Sequence, residues 1–174
     1  LGVEAVRHLR EADAVVEADG FEAGGVGMAV LELFDVHEVR VLLVDDSRLA
    51  RNHIRRVLEG MGLKKITEAE NGAMALTHIK DAEFDLVVTD YNMPEMDGYE
   101  VCERLKADPQ TADCAVVFLS ALDDLQAKVK GFSLGGGDYI SKPFQSQEVI
   151  ARVKTHAQVI RLERELQARN RELQ

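Results

Sequence analysis

A chain of 174 residues, 46% of them hydrophobic, is long enough to bury one substantial core, for which about 130 residues suffice. Its formal charge of −10 argues against nonspecific affinity for nucleic acid or anionic lipid. There is no secretory segment and no apolar run near ~18 residues, so the expectation is a cytoplasmic protein without a membrane span, with Cys102 and Cys114 reduced.

Residues 1–38 carry the least pattern. The chain opens on Leu1 rather than Met, which suggests a piece of a longer protein. Val3, Val6 and Leu9 suggest a short helix, Gly20, Gly24, Gly25 and Gly27 interrupt the next stretch, and Met28 to Phe34 resume an apolar pattern. A faint echo links Val15 to Gly20 with Ile66 to Gly72; it reads either as the remnant of a preceding similar domain or as a chance likeness of two acidic turns. The segment is taken as an N-terminal extension or linker of uncertain fold.

From Val39 strand and helix patterns alternate. Val39 to Val44 predicts a strand, and Ser47 to Gly60 a helix with Leu49, Ile54, Val57 and Leu58 as apolar positions, closed by Gly60 and Gly62. Lys65 to Ala69 is a short strand, Asn71-Gly72 a turn, and Ala73 to Ile79 a helix. Phe84 to Thr89 is the central strand and Gly98 to Ala107 the next helix. Ala115 to Leu119, Asp123 to Leu134 and a strand around Asp138 to Ile140 complete five repeats. Short connections between parallel strands require right-handed crossovers, which predicts an α/β domain over 39–157 with a five-stranded parallel, doubly wound sheet. Gln145 to Gln174 lack Gly and Pro and form one extended C-terminal helix. Its first half offers Val149, Ile150, Val153 and Ala157 to the sheet. Over 158–174, Val159, Leu162, Leu166 and Leu173 recur at spacings of three, four and seven, with Arg169 in the missing heptad place: a signalling helix or short coiled-coil stalk, or else a plain solvated helix.

The chemistry gathers at strand ends. The run Val41 to Val44 ends in Asp45-Asp46 and the run Leu86 to Thr89 ends in Asp90, so two parallel strands deliver carboxylates to one edge and make a hard-cation site. Ser120 ends the fourth strand and Lys142-Pro143 come after the fifth, adding a hydroxyl and an ammonium suited to a phosphoryl group. Each residue alone has a plainer reading. An Asp at a strand end is an ordinary cap, Ser120 could cap the following helix, and Tyr139 could be a partly buried aromatic. Met93 and Met96 read as packing residues, because thioethers are poor Mg²⁺ partners. The five histidines show no ligand spacing.

Over roughly residues 39 to 160 these motifs resemble the receiver domain of bacterial two-component response regulators. The resemblance implies a flavodoxin-like (βα)5 fold, Asp90 as phosphoacceptor and Tyr91 to Gly98 as its signature loop. It implies Mg²⁺ (or Mn²⁺) held by Asp45, Asp46, Asp90 and the Asn92 backbone carbonyl. Ser120, thirty positions after Asp90, would be the switch hydroxyl, Ala121 a small neighbour leaving phosphate access open, Lys142 the phosphate-binding cation, Pro143 the residue after a cis bond and Tyr139 the aromatic switch. Asn92 and Leu122 fall on positions that tune hydrolysis of the acyl phosphate. The implied role is regulatory rather than enzymatic: a sensor histidine kinase or phosphotransfer protein phosphorylates Asp90, and the C-terminal helix controls an output such as a nucleotide cyclase, phosphodiesterase, phosphatase or kinase. A weak homodimer and no direct nucleic-acid binding in this fragment are further expectations. A phosphorylation-independent interaction module or a Mg²⁺-dependent phosphohydrolase is the alternative, although the latter would need a positioned acid/base and a substrate cap that the sequence does not display.

Overall fold

The computed structural model describes residues 36–121 and 125–173. The readings made for the N-terminal segment up to residue 35, and for Leu122, lie outside the described residues. Five strands, β1 (Arg40–Val44), β2 (Lys65–Ala69), β3 (Leu86–Asp90), β4 (Ala115–Ala121) and β5 (Asp138–Lys142), form one parallel sheet in the order β2-β1-β3-β4-β5. Alternating with them are α1 (Arg48–Gly60), α2 (Gly72–Asp81), α3 (Gly98–Ala107), α4 (Leu125–Ser133) and α5 (Ser146–Glu172). This is the doubly wound, flavodoxin-like arrangement expected from the sequence. No described helix is long and apolar enough to cross a membrane.

Successive side chains of a strand point to opposite faces, so each apolar run supplies two cores. Val41, Leu43, Leu86, Val88, Val117, Leu119 and Ile140 pack with Ile54 and Leu58 of α1 and Val149, Val153, Ala157 and Ile160 of α5. Leu42, Val44, Val87, Val116, Phe118 and Tyr139 pack with Ala75 of α2 and with Tyr99, Val101, Cys102 and Leu105 of α3. Burial of α5 continues through Ile160, one turn beyond Ala157. There Arg164 ion-pairs with Asp85 at 2.6 Å.

The helix starts are set by side-chain caps. Ser47, Asn71 and Asp97 accept the amides of Ala50, Met74 and Glu100 respectively. Gly62 (φ 89°), just after α1, and Gly135 (φ 90°), just after α4, take the left-handed conformation that closes a helix cheaply. Three boundaries differ from the sequence reading in ways that bear on the site. β3 runs on to Asp90, β4 to Ala121 and β5 to Lys142, because ladder pairing carries each strand past its last apolar residue. Ser120 therefore stands within a strand rather than at a helix cap.

Candidate functional site

Register decides which side chains meet. Val44 pairs with Thr89, so Asp45 and Asp90 come next, side by side at the C-terminal edge of neighbouring strands. Asp90 pairs with Leu119, which sets Ser120 one step further along β4, and Ala121 pairs with Lys142. The sheet order reverses direction between β1 and β3, the place where open α/β sheets leave a crevice for ligands.

Asp45, Asp46 and Asp90 each offer a carboxylate oxygen, all lying within 4.8 Å of one another. Asp45 and Asp90 are buried and Asp46 is exposed. Lys142 Nζ donates to Asp90 Oδ2 at 2.8 Å and to Asp45 Oδ2 at 3.1 Å. The remaining oxygens are also engaged: Asp90 Oδ1 accepts the Asn92 amide at 3.1 Å, and Asp45 Oδ1 accepts the Ser47 amide at 2.8 Å. Burial pushes the Asp45 carboxyl above the usual carboxylate range, against the Ser47 amide and the Lys142 ammonium, which favour its charged form. Burial works against the Lys142 ammonium too, but its hydrogen bonds to Asp90 and Asp45 prevail and raise its pKa. Three carboxylates against one ammonium leave an excess of two negative charges in a partly buried crevice. Hard oxygen donors with that excess suit a divalent cation such as Mg²⁺. The residues present therefore fit the metal.

A second observation points to an anion on the same spot. Ser120 is fully buried, and among the described residues its Oγ has no hydrogen-bond partner. A buried hydroxyl left without a partner costs about 1–3 kcal/mol, which a bound acceptor would recover. Ala121 beside it is exposed and small. The Lys142–Pro143 peptide is cis, and Lys142 Nζ also lies 5.6 Å over the Phe144 ring.

The loop after Asp90 is held tightly against the strand. The Gly98 amide donates to the Tyr91 carbonyl at 3.1 Å, and a Cβ on Gly98 would collide with the Asp90 carbonyl oxygen, so only glycine allows this approach. Glu95 takes φ 67°, an uncommon value for a residue with a side chain. Met93 is buried and Met96 half-buried, both against the second core, as packing residues. Asn92 is exposed at the mouth.

Tyr139 is buried, and its hydroxyl donates to the Lys128 carbonyl of α4 at 2.8 Å. It belongs to a row of rings that the sequence reading did not find. Tyr91 meets Tyr99 at 5.6 Å, Tyr99 meets Phe118 at 5.2 Å, Phe118 meets Tyr139 at 5.4 Å, and Tyr139 meets the exposed Phe132 at 5.1 Å. The row starts at the residue after Asp90 and ends on the α4 surface. Val159, Leu162, Leu166 and Leu173 lie far from this crevice along α5 and are all exposed, from 47% to 86%. Cys114 is no nucleophile: burial pushes its thiol up to about 12, and Cys102 is raised by burial in the same way. Both are free.

Comparison with known proteins agrees with this fold. A family model, the response regulator receiver domain, matches residues 41–154. Among curated relatives, the DNA-binding dual master transcriptional regulator RpaA of Synechocystis is 36% identical over 115 residues, covering 66% of this chain and 47% of that protein. The phosphate regulon transcriptional regulatory protein PhoB of Pseudomonas aeruginosa is 38% identical over 114 residues, 66% of this chain and 49% of that protein. The chain thus spans about half the length of the curated relatives it matches. Among solved structures, the chemotaxis response regulator CheY4 of Vibrio cholerae superposes with a TM-score of 0.64 at 26% identity, over 68% of this chain and 98% of that one. A two-component system response regulator/GGDEF domain protein superposes with a TM-score of 0.70 at 28% identity, over 78% of this chain and 55% of that one.

Proposed function

This chain belongs to the response regulator receiver family, and from that premise we propose that it is a phosphorylation-controlled switch in which Asp90 accepts the phosphoryl group. The observation that carries the reading is the convergence, on one sheet edge, of Asp90 with two further carboxylates, the Lys142 ammonium and the Ser120 hydroxyl, which has no partner among the described residues. An oxygen of the Asp90 carboxylate attacks phosphorus, an O–P bond forms, and the N–P bond of a phosphohistidine breaks with its electron pair leaving on the imidazole nitrogen. Lys142 is already hydrogen-bonded to Asp90 and stays beside the incoming phosphoryl oxygens. Ser120 Oγ donates to one of those oxygens and gains the partner it lacks among the described residues. Asp45, Asp46, Asp90 and the Asn92 carbonyl would hold Mg²⁺, which when bound supplies positive charge to the transferring phosphoryl oxygens.

Output runs through α5 in this reading. The match to the response regulator/GGDEF domain protein takes in 78% of the chain, against 68% for the chemotaxis regulator, which supports reading the extended helix as a connection to an output module such as a nucleotide cyclase. A DNA-binding output is the second reading, favoured by the transcriptional regulators among the curated relatives. A histidine kinase or phosphotransfer protein is the donor.

Incubation with a small phosphodonor and Mg²⁺ should add one phosphoryl group, about 80 Da by intact mass, consistent with a single aspartyl phosphate. Chelation of the metal should abolish the gain. An Asp90→Asn protein that still gained this mass at comparable yield would remove Asp90 from the role.

A further inference from the structure

Five polar or charged residues are buried among those described: Asp45, Thr89, Asp90, Ser120 and Arg51. The first four lie at the ends of strands. Arg51 lies on α1, and its Nη1 donates to the main-chain carbonyl of Asp45 at 2.7 Å. Its other nitrogens stand at longer range from two carboxylates, Glu68 at 3.6 Å and Glu70 at 3.5 Å. The short contact is therefore with the backbone of the acidic pair, and the ion pairs are secondary.

That carbonyl belongs to the peptide joining Asp45 to Asp46. A peptide unit is planar and rigid, so holding its oxygen restrains the plane that carries the Cα atoms of both residues, from which the two carboxylates leave the chain. Three other bonds hold the same segment: the Asp45 amide donates to Ala69 O at 3.2 Å, the Ser47 amide to Asp45 Oδ1 at 2.8 Å, and Lys142 Nζ to Asp45 Oδ2 at 3.1 Å. None of these engages the Asp45–Asp46 peptide itself. We propose that Arg51 is a positioning residue of the cation site, setting divalent-cation affinity through the Asp45–Asp46 peptide without touching the ion. This rests on the reading of Asp45, Asp46 and Asp90 as Mg²⁺ ligands. Groups that orient ligands from behind typically govern metal affinity by about 10–100-fold.

A plainer role for Arg51 is to join α1 to β2 through Glu68. Arg55 separates the two roles, since its Nη1 holds Glu68 at 2.6 Å, while the guanidinium on the Asp45 carbonyl is that of Arg51. Mg²⁺ binding to the full chain is measured by titration calorimetry, with urea unfolding of each variant alongside. Arg51→Met and Arg51→Gln should each bind Mg²⁺ about tenfold more weakly, Arg51→Lys should recover part of the loss through a single donor, and Arg55→Met should bind like wild type. Wild-type affinity in whichever of the Met and Gln variants folds, or an equal loss in Arg55→Met, would overturn the proposal. A wild-type protein that takes up no Mg²⁺ would instead bring down the cation site itself.

Discussion

Tyr139 lies buried because Gly131 has no side chain: a Cβ on Gly131 would stand in the place of the Tyr139 hydroxyl, with Phe118 Cε2 and Tyr139 Cζ each only 2.9 Å away. Inward seating of Tyr139 thus depends on one hydrogen atom on α4, at the far end of the ring row that starts beside Asp90. Alanine at a helical position normally gains about 1 kcal/mol over glycine. Overpacking a filled site costs about 1–3 kcal/mol, and here aromatic side-chain atoms of two residues are in the way. Gly131→Ala should therefore destabilise the fold by a net of up to ~2 kcal/mol and drive Tyr139 outward, read by urea unfolding and by the fluorine resonance of fluorotyrosine-labelled protein. Adding Tyr139→Phe should return part of the stability by removing the colliding oxygen. An unshifted Tyr139 resonance at unchanged stability would reject the arrangement.

Asp85 ties the foot of the sheet to α5. It accepts the Arg40 amide at 2.8 Å, the Arg40 guanidinium at 3.0 and 3.1 Å, and Arg164 at 2.6 Å. Burial alone would raise its pKa, but these donors outweigh burial and hold the carboxyl below its usual range. A carboxylate with a depressed native pKa contributes stability that is fully present above the unfolded value of about 3.9 and is lost as pH falls through the lower native value. Asp85→Asn should cost about 1–3 kcal/mol at neutral pH, as expected when charge-assisted bonds are lost. The gap between the two urea midpoints should stay constant from pH 7 down to the ordinary carboxylate range and close only below it. A gap already closing at pH 6 would contradict the assignment.

The strands were legible because parallel strands buried on both faces read as unbroken apolar runs, and the carboxylates were legible because they end those runs. Lys142 and Ser120 were found by their places after the fifth and fourth runs. The features that stayed hidden are long-range or steric. Arg51 sits in a run with Arg55 and Arg56 and reads as one more solvated helix charge; only the fold turns it under the Asp45 carbonyl. Arg164 and Asp85 lie in different elements, and no local pattern pairs them. Gly131 reads as a weak point in a helix, whereas its purpose is the room it leaves for Tyr139. Ile160 continues the buried stripe of α5 because α5 keeps contact with the sheet to its lower rim.

Persistence of the acyl phosphate is set by how a hydrolytic water is oriented. Asn92 is exposed at the crevice mouth and offers an amide that can hold such a water. Leu122 lies outside the described residues; the family resemblance puts it on a position that tunes this hydrolysis, and its side chain carries no hydrogen-bonding group. Leu122→Gln and Leu122→Glu should each speed phosphoryl loss by about tenfold, equivalent to roughly 1.4 kcal/mol of barrier. The rate is measured by intact mass after donor removal, with Mg²⁺ binding checked separately. Unchanged or slower loss in both variants would clear Leu122 of this role.

The exposed seam of α5 faces away from the domain. Val149, Val153, Ala157 and Ile160 form the buried stripe, and Arg164, which holds Asp85, continues it. At ~100° per residue, Val159, Leu162, Leu166 and Leu173 fall on the opposite side of the helix. Four large apolar side chains on that side, each about half-exposed or more, suit a second copy of the same helix lying parallel, which would place two output modules side by side. Arg169 interrupts the seam, so such a pairing should be weak. Leu162→Asp combined with Leu166→Asp should shift the protein to monomer in sedimentation, while Arg169→Leu should tighten the dimer by about tenfold, roughly 1.4 kcal/mol. Neither change touches the buried stripe, so the fold should persist in both. Equal monomer content in wild type and the double variant across the same concentrations would leave α5 a solvated helix.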